Sequence, residues 1–195
     1  NLVAYYTLDG NANDSSKNGH DGVLGGAPTY VPGVVGQALQ FDGTDDHVRI
    51  ANHSRLNPGT GSFTFTFWAN VDPTPGTSGA TNWDLAVAKR TNNANNGYYV
   101  GADRNQGATN QTGFKFMLGK GNNAADRVDT PFKLVPLGEW VFVAAVLDRA
   151  SDVHRISVDA GQTWAGAKPP AGTIATNTDL GIAWDIGINN YWFRG

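Results

Sequence analysis

Asp9, Asn11 and Asn13 recur at every second position of an opening stretch, YYTLDGNANDSSKNGHDG (residues 5–22), and Asp14 follows at once. Oxygen ligands at that spacing can converge on one hard cation when the backbone curls, and Ca²⁺ suits a flexible loop better than Mg²⁺. The stretch is not an EF-hand: its sixth position is Asp14 where glycine is needed, and its twelfth is His20 where glutamate is needed. The same residues also fit a hydrated turn whose Asx side chains bond their own backbone. On the residues alone both readings stand.

A second group of residues could hold a sugar. Trp83, Trp184, Tyr191 and Trp192 fall near expected loop boundaries, and TNNANNGYY places Asn93 and Asn96 in a turn. Exposed rings stack on the C–H face of a sugar while amides bond its hydroxyls. Against this, Asn-rich turns need only residues that tolerate a left-handed backbone. Trp68, Trp140 and Trp164 read most simply as core or rim packing.

Catalytic constellations are scarce. Sixteen of the seventeen acidic residues are Asp, and the one glutamate is Glu139, so the pair of glutamates common in glycosidases is impossible. No strand carries an Asp pair, and DGTDD (42–46) reads as a turn. GFKFMLGKG lacks the spacing of a phosphate loop, and His20, His47, His53 and His154 show no zinc spacing. His154 shares strand parity with Ile156 and Val158 and reads as a satisfied residue inside a sandwich. With no cysteine, thiolate chemistry and disulfides are excluded.

The elements that must position these residues are strands. Gly, Asn and Thr are plentiful and good helix formers rare, so the chain reads as all-β, a single domain over residues 1–195. Leu2–Leu8 reads as a first strand, and Ala38–Phe41 with His47–Ile50 as a hairpin around DGTDD. In SFTFTFWANV, Phe63, Phe65 and Phe67 face one way, Thr64, Thr66 and Trp68 the other. EWVFVAAVLD reads as a central strand covered on both sides. Phe63, Phe65, Phe67, Phe114, Phe116, Val141, Val143 and Ile156 are the expected core. The net charge of −3, with scattered Lys and Arg, gives no nucleic-acid footprint. Trp140–Leu147, the longest apolar run, falls far short of the ~20 residues of a membrane span. Asn1 in place of an initiator Met reads as the start of a mature or excised segment.

The order of segments resembles the laminin-G-like family of concanavalin A-like jelly rolls, of the bacterial extracellular type. The likeness rests on the opening stretch, on VVGQALQFDGTDDHVRI, on SFTFTFWANV and on LGEWVFVAAVLDRASDVHRISVDAG. It implies a two-sheet antiparallel β-sandwich and an extracellular or cell-surface location. It also implies a structural calcium at Asp9, Asn11, Asn13 and Asp14, since this edge of the sandwich often holds one in the family. It does not imply an activity, because the fold hosts lectins, hydrolases and spacers alike. Domains of this family usually run on from a YWFRG-like segment into a closing strand beside the first strand, whereas this sequence stops at Gly195. The leading expectation is a non-catalytic module for adhesion or carbohydrate recognition, with a glycan or cell-surface protein as partner. The alternative is a structural subunit or spacer whose sheet another copy or a neighbouring chain completes. A polysaccharide-active enzyme comes third.

Overall fold

A computed structural model describes residues 2–74, 83–91, 96–104, 111–121, 127–186 and 192–195. Its strands are β1 (Gly22–Gly25), β2 (Thr29–Pro32), β3 (Gln37–Gln40), β4 (His47–Ile50), β5 (Phe63–Asn70), β6 (Trp83–Arg90) and β7 (Asn96–Asp103). They continue as β8 (Gln111–Lys120), β9 (Arg127–Asp129), β10 (Lys133–Pro136), β11 (Trp140–Asp148), β12 (Val153–Ser157), β13 (Ala165–Ala167) and β14 (Leu180–Ile182). A larger antiparallel sheet runs β1-β4-β14-β6-β7-β8-β10, with β9 also on β8. A second runs β13-β12-β11-β5, and β2 pairs with β3. This is the expected all-β sandwich.

The core forms where the two sheets face each other. Period-two alternation turns Phe63, Phe65 and Phe67 of β5 and Val143, Ala145 and Leu147 of β11 inward. They meet Tyr98, Val100, Phe114, Phe116 and Leu118 from β7 and β8. Phe63 lies edge-on to Phe116 at 5.9 Å, and Phe65 sits 5.0 Å from Tyr98. Phe114, Phe116, Val143 and Ile156 are fully buried. Phe63, Phe65, Phe67 and Val141 are only half-buried. For the three phenylalanines the reason is position: β5 is the last strand of its sheet, so one side of each ring lies along an open edge.

Three expectations are corrected. Leu2–Leu8 belongs to no sheet, because its partners come from the loop that follows it. Ser15 N donates to Tyr5 O at 2.7 Å, Tyr5 N to Asp14 Oδ1 at 3.0 Å, and Asn18 Nδ2 to Val3 O at 3.0 Å. Residues 38–41 and 47–50 do not form a hairpin. β3 pairs with β2 while β4 pairs with β1 and β14, so the 42–46 turn carries the chain from one sheet to another. Asp46 fastens that crossing by accepting from Ala27 N at 2.7 Å and Asp42 N at 3.0 Å. β11 is central, between β12 and β5, but its outward face is covered only in part: Ala144 is buried there while Trp140 is exposed. Arg194 and Gly195 lie beside the ends of β3 and β5. Phe41 and Gly195 exchange both backbone bonds, and Asp72 N donates to Arg194 O at 3.1 Å, which puts Arg194 between the ends of β3 and β5.

His154 is buried in the sandwich, edge-on to Phe116 at 5.6 Å, but it is not satisfied there. Neither ring nitrogen reaches hydrogen-bonding geometry among the described residues. Burial pushes its pKa down to about 4, with the nearby backbone of Ala167 offsetting this only in part. Below pH ~6.5 the unfolded chain takes up a proton that the folded chain refuses. Stability is therefore lost as pH falls from ~6.5 to about 4, by at most about 3 kcal/mol from this group. His154→Leu is expected to flatten the fall in melting temperature across that window. An unchanged pH profile in the variant would show that His154 is not the cause.

Candidate functional surface

The opening loop spends its oxygens on the backbone. Asp14 accepts from Tyr5 N, from Ser16 N at 2.9 Å and from His20 N at 3.1 Å. Burial would raise the Asp14 pKa, but hydrogen bonds from Ser16, Tyr5 and His20 outweigh it and hold the carboxyl at about 2. Asp9 accepts from Gln37 N at 2.7 Å, and Asn11 from Asn13 N at 2.9 Å. The two carboxylates thus serve different parts of the fold, and Asn13 enters through its backbone N–H. Among the described residues, the acidic groups that do come together are Asp42, Asp45 and Asp46, with oxygens within 4.8 Å of one another.

The expected sugar-binding residues divide among three places. Trp83 opens β6 on the outer face of the larger sheet. Its ring lies under Lys115 Nζ at 3.8 Å, and the same ammonium is 3.3 Å from Asp129 and 4.8 Å from the Phe132 ring. A cation–π contact of this kind takes up one ring face that a sugar would use. Asn96 opens β7 and, with Thr91, Ala175, Thr176, Asn177 and Thr178, lines a cavity of about 460 Å³. Beside it the ammonium of Lys89 donates to Asn52 at 2.8 Å and to Thr176 O at 3.0 Å, and burial lowers its pKa to about 8. Asn93 and Tyr191 lie outside the described residues.

Trp184 and Trp192 are brought together, parallel to within 1° at 5.4 Å. The turn after β14 makes this possible. Ala183 takes a left-handed φ of 62° and folds the chain back, so that Trp184 O lies over Gly181. Asp185 then forms a buried ion pair with Arg90, Nε to Oδ2 2.7 Å, and Arg90 lies 5.0 Å from the centre of the Tyr99 ring. A Cβ on Gly181 would stand 2.4 Å from Trp184 O.

Another open aromatic surface lies on the other side of the molecule, on residues read from the sequence as packing. Trp68 is 46% exposed, Trp164 37% and Trp140 36%. All three belong to the outer side of the four-stranded sheet. Trp68 stands directly opposite Phe142 across the β5–β11 ladder, ring centres 5.2 Å apart. Thr64 and Thr66, both exposed, share the outward parity of Trp68, and Asn70 pairs with Trp140. Arg155 lies over Trp164 at 4.6 Å. Trp68, Phe142 and Trp140 thus share one face, with the hydroxyls of Thr64 and Thr66 and the amide of Asn70 on the same side. The signal was in the sequence, since Trp68 has the opposite parity to Phe63, Phe65 and Phe67.

Residues 42–195 match the laminin G 3 family, described as the concanavalin A-like lectin/glucanases superfamily. This chain belongs to that family. Among solved structures it is similar to domain 4 of AbnA, a GH43 extracellular arabinanase from Geobacillus stearothermophilus, in complex with arabinotriose. There the TM-score is 0.62 at 17% identity, covering 98% of this chain and 88% of that one. It is also similar to the binding domain of Paraclostridial Mosquitocidal Protein 1, with a TM-score of 0.58 at 9% identity, covering 94% of this chain and 42% of that one. At these identities the likeness is one of fold. No curated protein matches the sequence.

Gly181→Ala tests the turn that presents Trp184. Forcing a methyl against the Trp184 carbonyl is expected to cost about 1–3 kcal/mol in urea unfolding. A cost below about 0.5 kcal/mol would mean that the turn is free to move.

Proposed function

We propose that this chain is a non-catalytic carbohydrate-binding module of an extracellular protein, holding a neutral glycan on the Trp68–Phe142–Trp140 face. One observation carries the reading: large rings stand partly in solvent on one face of a sheet, with Thr64 and Thr66 on the same side. A ring pair in solvent forgoes the burial that would otherwise stabilise the fold, whereas a sugar recovers it by stacking. The similarity of fold to a domain seen with arabinotriose supports the same class of ligand. The non-catalytic part is supported by the carboxylates. Glu139 is exposed in the turn before β11, and buried Asp84 and Asp185 face Arg104 and Arg90.

Affinity electrophoresis against soluble arabinan, galactan, xylan and mixed-linkage glucan tests the reading. At least one polysaccharide is expected to retard the protein. Trp68→Ala is expected to weaken that binding about tenfold or more, the scale of one lost stacking contact. Retardation by none of the four would overturn the reading, and release of reducing ends would overturn its non-catalytic part.

Calcium at the opening loop is a separate proposal. The density of Asp and Asn oxygens supports it, and their engagement with backbone amides weighs against it. A melting temperature several degrees lower in EDTA, with metal found by elemental analysis, would support the ion. An unchanged melt would remove it.

A further inference from the structure

A second ring surface stands on the side of the sandwich opposite Trp68. His47 and Arg49 project from the outer face of β4, since Val48 and Ile50 between and beyond them are fully buried in the core. The His47 ring lies 4.3 Å from Trp184 and 5.6 Å from Trp192. All three rings are partly exposed.

We propose that His47, Trp184 and Trp192 form a second carbohydrate-binding platform, so that one module holds two glycan chains, one on each face. The inference rests on the carbohydrate reading above and extends it from one site to two.

The His47 and Trp184 rings are held in place. His47 Nδ1 is 2.8 Å from Asp45 O. A carbonyl can only accept, so Nδ1 carries the proton, and in the neutral ring Nε2 keeps a lone pair for a hydroxyl. Gly25, directly opposite His47 on β1, lies flat beneath the imidazole, where a Cβ would stand 2.0 Å from the ring. Trp184 is fixed by the Gly181–Ala183 turn and the Arg90–Asp185 pair. Rings held this way lose little freedom when a sugar stacks on them. Arg49, 2.5 Å from Asp179, adds a charged donor on the same outer face, two residues along β4.

Two sheets separate this platform from Trp68. Packed sheets are ~10 Å apart, and each outward ring layer adds several ångströms more. One short oligosaccharide cannot touch both surfaces. A module with two opposed sites cross-links long chains and gains avidity on a matrix, which a one-sided module cannot do.

Calorimetric titration of the 195-residue chain with oligosaccharides cut from arabinan, galactan, xylan and mixed-linkage glucan decides the matter. The oligosaccharide that binds is expected to fill two sites per chain, and the parent polysaccharide to turn turbid with the protein. Trp68→Ala and Trp192→Ala are each expected to leave one site, and the pair together none. His47→Gln, which keeps a polar group and removes the ring, is expected to weaken one site about tenfold and guards against misfolding of Trp192→Ala. A single site, whichever variant removes it, would overturn the two-chain inference and leave the carbohydrate reading standing. No binding to any of the four would overturn the reading and the inference with it.

Discussion

The ladder between β5 and β11 fixes both the core and the open aromatic face of this molecule. It pairs eight consecutive positions, from Trp140 opposite Asn70 to Leu147 opposite Phe63. Because side chains alternate with period two, that one register sends Phe63, Phe65, Phe67, Val143, Ala145 and Leu147 inward. The same register sends Thr64, Thr66, Trp68, Trp140 and Phe142 outward. A slip of one residue would put tryptophan in the core and phenylalanine in water. The hydrophobic core and the open aromatic face are therefore one decision, made by the same backbone bonds.

Much of the fold was legible for that reason. β5 and β12 carry their pattern locally, and Phe63, Phe65, Phe67, His154 and Ile156 turn inward as the alternation requires. The failures are non-local. Nothing within Ala38–Ile50 says that the two halves join different sheets; that depends on β1, β2 and β14 reaching them from elsewhere. Leu2–Leu8 has the composition of a strand, yet Asp14, Ser16 and Asn18 take its polar groups. Surface residues were harder still. Trp184 and Trp192 read as neighbours of loops, and a left-handed Ala183 joins their rings, which no periodicity reports. Trp83 was chosen by the same logic, and Lys115 lies over it. Trp68 was passed over although its parity pointed outward, because bulk and apolarity suggested burial.

Charge is used sparingly and mostly as a tie. Arg90 with Asp185 and Lys89 with the carbonyls of Thr176 and Thr178 each join a strand of the larger sheet to a distant loop, and Arg104 ties Asp84 of β6 to the carbonyl of Asp72. The Arg–Asp pairs are nearly excluded from water, so removing one partner would strand the other, which costs more than the pair contributes. Their role is better understood as fixing where loops lie than as adding stability.

The place of β14 bears on how the chain can fold. It is only Leu180–Ile182, yet it stands between β4 and β6 in the middle of the larger sheet. Until it arrives, β1-β4 and β6-β7-β8 are two separate ladders with no backbone bond between them. Synthesis runs from the N-terminus, so every strand from β1 to β13 must emerge before the sheet can close. Its pairing with β4 spans about 130 residues, a long loop to close before any reward. The chain thus commits late and all at once, and a ribosome stalled before Leu180 would hold two half-sheets with exposed edges.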